Sequence, residues 1–142
     1  TDDLKVINIK SVRINYVNKR SALMPPMSHE PKTWIKIVTA LFILKTLRNT
    51  TAYGNQIAEH IKQRTFGSLN PNPNFLYPLL RNMEEDGFVT GTWENPATRG
   101  KRVYTITGQG LDYLEILKEQ VRNKFLEIER KQAAIRQYLF EE

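Results

Sequence analysis

The chain has 142 residues, room for one compact unit with an appendage rather than two independent cores. Hydrophobic residues make up 40% and charged residues 25%, ordinary globular usage, while 21 Lys and Arg against 15 Asp and Glu leave a net charge of +6 that favours phosphate-bearing partners: DNA, RNA or an anionic membrane surface. The absence of cysteine excludes disulfides, thiolate metal sites and a cysteine nucleophile. His29 and His60 lie too far apart in sequence to suggest a zinc site, so neither metal nor cofactor is expected.

Residues 1–26 alternate partially (Leu4, Val6; Ile7, Ile9; Val12, Ile14) and end at Pro25-Pro26 just before the start-like Met27. They read as an N-terminal arm or a non-native leader. The apolar run from Ile35 to Leu47 is broken by Lys36 and Lys45 and is too short for a membrane span of about 20 residues. No signal-like succession is evident, so a cytoplasmic protein away from the membrane is expected. From Thr33 to Arg48, Trp34, Ile37, Val38, Leu41, Leu44 and Leu47 recur at three- and four-residue steps, the mark of a helix with a wide apolar face. Thr50 and Thr51 are candidate N-caps for a second helix whose stripe is Tyr53, Ile57, Ala58 and Ile61. That pattern stops near Gly67.

Asn and Pro cluster at 70–74, and apolar periodicity resumes at Leu76, which predicts a turn and a third helix ended by Gly87. Leu76, Leu79, Leu80 and Met83 gather on its core side. The opposite side carries Asn74, Pro78, Arg81 and Glu85, flanked by Tyr77 and Asn82, with Phe75 nearer the boundary. Asn and Arg suit adenine and guanine edges, and an exposed helix fits a major groove, so this reads as a recognition helix. Arg81 is expected to meet phosphate more than bases, since most protein–DNA hydrogen bonds go to the backbone. The bland alternative is a solvated Arg81–Glu84 or Arg81–Glu85 pair and a Tyr77 that only caps the core.

Phe88 to Trp93 and Val103 to Ile106 flank ENPATRGKR and predict a β-hairpin whose tip presents Arg99, Lys101 and Arg102 around Gly100. A cationic loop beside a recognition helix can reach phosphates or a minor groove. Beyond about Thr107, Leu114, Leu117, Val121, Phe125, Ile128, Ile135 and Leu139 fall on one stripe of a long helix. A helix of thirty or so residues extends about 45 Å, more than a small trihelical core covers, so part of that stripe is expected to meet a second subunit. The aromatics Trp34, Trp93, Tyr113 and Phe125 invite a ligand pocket, yet patterning favours packing.

The fold class expected is therefore mainly α with a small β-hairpin, a winged helix-turn-helix with a long C-terminal dimerisation helix. The domains are 27–106 for the winged helix and 107–142 for the dimerisation helix. No nucleophile elbow, phosphate loop or zinc-binding helix motif occurs, which argues against an enzyme.

The ordered motifs resemble the PadR family of transcriptional regulators: Tyr53-Gly54 with Ile57, Leu76-Tyr77-Pro78 with Leu80, Arg81, Met83 and Glu84, Gly87 with Val89, Trp93-Glu94, Arg99 with Lys101-Arg102, and Tyr104 with Ile106-Thr107 and Gly110. They extend over residues 36 to 110. The resemblance implies a homodimeric winged-helix binder of double-stranded DNA, usually a repressor, in the shorter subfamily with one C-terminal helix. It also implies an effector that is a small aromatic or cationic compound, where one exists. This chain departs from the family at Asn74-Phe75, where small residues are usual, and at Val103, where a second aromatic is usual. The rival reading is a winged helix used for protein or RNA contacts without operator specificity. Both fit the charge.

Overall fold

The computed structural model describes residues 31–141, so the arm or leader expected at 1–26 lies outside the described residues. In chain order the elements are α1 (Pro31–Asn49), β1 (Ala52–Tyr53), α2 (Gly54–Arg64), α3 (Pro73–Glu85), β2 (Val89–Trp93), β3 (Arg102–Ile106) and α4 (Gly108–Phe140). The three strands form one antiparallel sheet in the order β1-β3-β2. Helix, helix, turn, helix and hairpin thus occur in the expected order, followed by the long helix.

Each boundary has a local cause. Asn72 caps α3 by accepting from the Phe75 N–H at 3.0 Å, with Pro73 at the first helical position, where its missing N–H costs nothing. At the other end Gly87 adopts φ +86, its N–H bonding Glu84 O while the Phe88 N–H bonds Met83 O. This is the paired closure that favours glycine after a helix. Thr107 caps α4 by accepting from the Gly110 N–H at 3.0 Å and donates to Gly87 O at 2.6 Å. One hydroxyl therefore ties the start of α4 to the end of α3.

The start of α2 corrects the sequence reading. Thr50 and Thr51 precede a short strand, and the helix begins at Gly54, where the Gln56 side chain accepts from the Tyr53 N–H at 2.9 Å. Tyr53 belongs to β1, not to the buried stripe of α2, because Ala52 and Tyr53 pair with Tyr104 and Val103 of β3. The hairpin is thereby a three-stranded wing.

The core lies between α1, the inner faces of α2 and α3, the base of the wing and the first half of α4. Ile43, Leu44, Ile57, Ile61, Leu80 and Leu117 are inaccessible there. Tyr113 stacks on Phe88 with ring centroids 4.2 Å apart, so this aromatic pair is core rather than pocket wall. The dimerisation stripe needs a further correction. Leu114, Leu117 and Val121 are buried in the same chain's core, because α1 packs beside α4 and covers them. Trp34 meets Phe125 edge-on at 5.6 Å and marks the far end of that cover. Beyond it Ile128 is half-buried, and Ile135 and Leu139 are exposed, as are Leu126, Tyr138 and Phe140 off the stripe. Among the described residues no helix is long and apolar enough to cross a membrane.

Candidate nucleic-acid interface

Burial divides α3 cleanly. Leu76, Leu79, Leu80 and Met83 face the core, while Asn74, Tyr77, Pro78 and Arg81 are exposed and Phe75 is half-buried against the core. Pro78 sits inside the helix; lacking an N–H, it withholds a donor from the carbonyl one turn earlier, a penalty moderated where that carbonyl can be solvated. Tyr77 lies against the start of α2. A Cβ on Gly54 would come within 2.6 Å of the Tyr77 ring, so the glycine at the start of α2 admits the aromatic that the exposed side of α3 presents.

The wing stands beside this side. Arg99 and Lys101 are exposed at its tip, and Arg99 itself adopts φ +52. The Lys101 ammonium lies 5.1 Å from the Tyr53 ring centre, within cation–π range. Between α3 and the wing lies an open cleft of about 410 Å³ lined by Tyr53, Tyr77, Trp93, Lys101, Arg102 and Tyr104. Its walls are aromatic and its charges are cationic, a combination suited to a phosphate-bearing polymer.

Two carboxylates hold groups of this surface in place. Glu94 accepts a hydrogen bond from the Tyr53 hydroxyl, and that bond, followed by loss of hydration and the negative charge of Glu94, raises the phenol's pKa above its ordinary value. Tyr53 therefore stays a neutral donor. Glu84 on α3 bonds the Arg102 Nη2 at 2.8 Å and the Gly91 N–H at 3.0 Å. Burial raises the Tyr104 phenol in turn, the nearby Arg102 opposing it.

Of the eight residues expected at this interface, Asn74, Tyr77, Pro78, Arg81, Arg99 and Lys101 present exposed surface. Phe75 is partly withdrawn, and Arg102 is engaged by Glu84. Sequence reading missed Tyr53 and Glu94 as members of the site. Tyr53 was absorbed into a helical stripe, and a strand of two residues is too short to show alternation. The pairing of Tyr53 with a residue 41 positions away leaves no local signal at all.

Residues 43–116 match the family described as "Transcriptional regulator PadR-like family". The chain is 32% identical over 81 residues to the transcriptional regulator YqjI of Escherichia coli (strain K12), an alignment spanning 57% of this chain and 38% of that protein. It thus spans well under half the length of that curated relative. A PadR family transcription regulator from Clostridium difficile superposes with a TM-score of 0.54 at 26% identity, covering 68% of this chain and 97% of that one. One from Eggerthella lenta gives a TM-score of 0.56 at 19% identity over 92% and 94% of the two chains, a likeness of fold that includes the long helix. With more than half of its length matched, the chain belongs to the PadR-like family of transcriptional regulators.

Proposed function

We propose that the chain acts as a homodimer that binds a palindromic operator in double-stranded DNA and represses transcription there. The observation that carries this reading is the cationic, aromatic-walled cleft between the exposed side of α3 and the wing. In it α3 enters the major groove with Asn74, Tyr77, Pro78 and Arg81, with Phe75 at the margin. Arg99 and Lys101 at the wing tip engage backbone phosphate, which positions the protein without reading sequence.

Dimerisation is supported by the uncovered part of the α4 stripe, where Ile128, Ile135 and Leu139 continue the line that α1 covers further back. A second copy of α4, with the partner's α1, buries it. Two recognition helices then stand about one DNA turn apart, roughly 34–36 Å, and a two-fold operator follows from the two-fold protein.

The test is titration of the protein against duplexes enriched from random-sequence DNA, with random duplex and RNA as competitors at fixed salt. Preference by about a thousandfold or more for a two-fold symmetric duplex is the expected result. Equal affinity for all duplexes, or preference for RNA, overturns the reading.

A further inference from the structure

The geometry points to Arg102 as a positioning residue that sets the wing against α3 through Glu84 and Gly91, and not as a phosphate contact in its own right. The inference rests on the proposed DNA-binding reading and deepens it. Of the three guanidinium nitrogens, Nη2 donates both to Glu84 Oε2 and to the Gly91 carbonyl, and Nε is buried. The cation lies 5.3 Å from the Trp93 ring centre and 5.9 Å from that of Tyr104. The guanidinium is thus committed through Nη2 to the protein's own helix and strand, with about a third of the side chain left accessible. Lys101, one residue earlier, is exposed at the tip.

Gly91 makes the arrangement possible. It lies in β2, which among the described residues pairs only with β3, so the N–H and carbonyl it turns away from β3 need partners elsewhere. Glu84 takes the N–H at 3.0 Å and Arg102 takes the carbonyl, and the two side chains bond each other at 2.8 Å. Helix, edge strand and inner strand thus close into one charge-assisted ring. Any side chain at 91 would intrude, since a Cβ there would sit 2.7 Å from Arg102 Nη2. The ring fixes the angle at which Arg99 and Lys101 are offered to the duplex that α3 reads.

The consequence opposes simple electrostatics. Glu84→Ala removes an acid from a DNA-facing protein and leaves every cation in place, so charge alone predicts tighter binding and a steeper salt dependence. Loss of the ring predicts the reverse, because a wing free to swing no longer holds its cations at the phosphates. The experiment measures binding to a duplex that the wild-type protein enriches from random-sequence DNA, over a series of salt concentrations. Glu84→Ala, Arg102→Gln and Gly91→Ala are each expected to weaken binding about tenfold and to flatten the salt slope, and Glu84→Gln, which keeps an acceptor, recovers part of the loss. Glu84→Ala and Arg102→Gln combined should cost no more than either alone, since both open one ring. Hydrogen exchange at the Gly91 amide of the free protein, expected to accelerate in Glu84→Ala, reads the ring without DNA. Equal or tighter binding by Glu84→Ala, multiplying losses in the double variant, or unchanged Gly91 exchange overturns the inference. Failure of the wild-type protein to enrich any duplex sinks the DNA-binding reading instead, and the exchange measurement still decides the ring.

Discussion

Over its first turns α4 buries Tyr113, Leu114, Leu117 and Val121, whereas over its last turns Ile135 and Leu139 stand 60% exposed and Tyr138 and Phe140 more so. The stripe is continuous through both halves: Leu114, Val121, Ile128 and Ile135 recur at seven-residue intervals, with Leu117, Phe125 and Leu139 alongside. What differs is the neighbour. α1 covers the stripe as far as the Trp34–Phe125 contact, and the 33-residue helix, about 50 Å long at 1.5 Å per residue, runs on past it. A periodic stripe records that a surface will be covered and does not record by what.

The strongest way to break this comparison is to remove atoms from the covered half. Leu117→Ala leaves a cavity against α1 and should destabilise the chain by about 2–5 kcal/mol, read from urea or thermal unfolding. A loss below about 1 kcal/mol would mean that α1 does not hold α4 as described. In the uncovered half, Ile135→Asp with Leu139→Asp places two carboxylates in the proposed seam at a cost of several kcal/mol, enough to dissociate a micromolar dimer. Sedimentation should then report a monomer whose core remains folded. These positions are the informative ones because Val121, on the same stripe, lies in the protomer's own core, where a charge would unfold the chain. A chain beginning at Met27 should still dimerise; loss of the dimer there would assign the cover to residues 1–26.

The same distinction explains what was legible in the sequence. Element order, the inner side of α3, the turn at 70–74 before it, its Gly87 boundary and the extent of α4 all follow from residues within a few positions of one another, where periodicity and turn chemistry act. Leu114, Leu117 and Val121 were assigned to the right face and the wrong partner, since nothing local distinguishes an intrachain neighbour from a second subunit. Arg102 reads as a wing cation from its place beside Gly100 and Lys101. Its engagement by Glu84, 18 residues earlier, depends on how α3 and the strands cross. Tyr53 and Glu94 were missed for the same reason.

A smaller effect is expected on the DNA-facing side. Arg81 is exposed beside Tyr77 and Pro78, and Arg81→Ala should reduce the salt slope of binding by about 1 and weaken all duplexes alike, as removal of a phosphate contact does. A loss confined to one base position would make Arg81 a base-reading residue, and no loss would remove it from the interface. Fold stability should change little, since the side chain lies outside the core.

The smallest effect sharpens the contrast between the two halves of α4 most directly. Past Phe125 no residue of the helix is fully buried among the described residues, so its local support comes from surface pairs such as Lys131 Nζ with Glu127 Oε1 at 2.9 Å. This pair has the favourable order, with the acid one turn before the base, and such pairs stabilise an isolated helix by about 0.2–0.5 kcal/mol. In a dimer, burial of Ile135 and Leu139 by the partner overwhelms a term of that size. Lys131→Ala should therefore leave the circular dichroism of the concentrated dimer unchanged. Combined with Ile135→Asp and Leu139→Asp, which yield the monomer, it should lower helicity by a few residues' worth as the distal turns fray. Equal loss in dimer and monomer would show that the pair, and not the partner, holds the distal helix. No loss in either would show that the distal half is covered even in the monomer, and the contrast between the two halves would then fail.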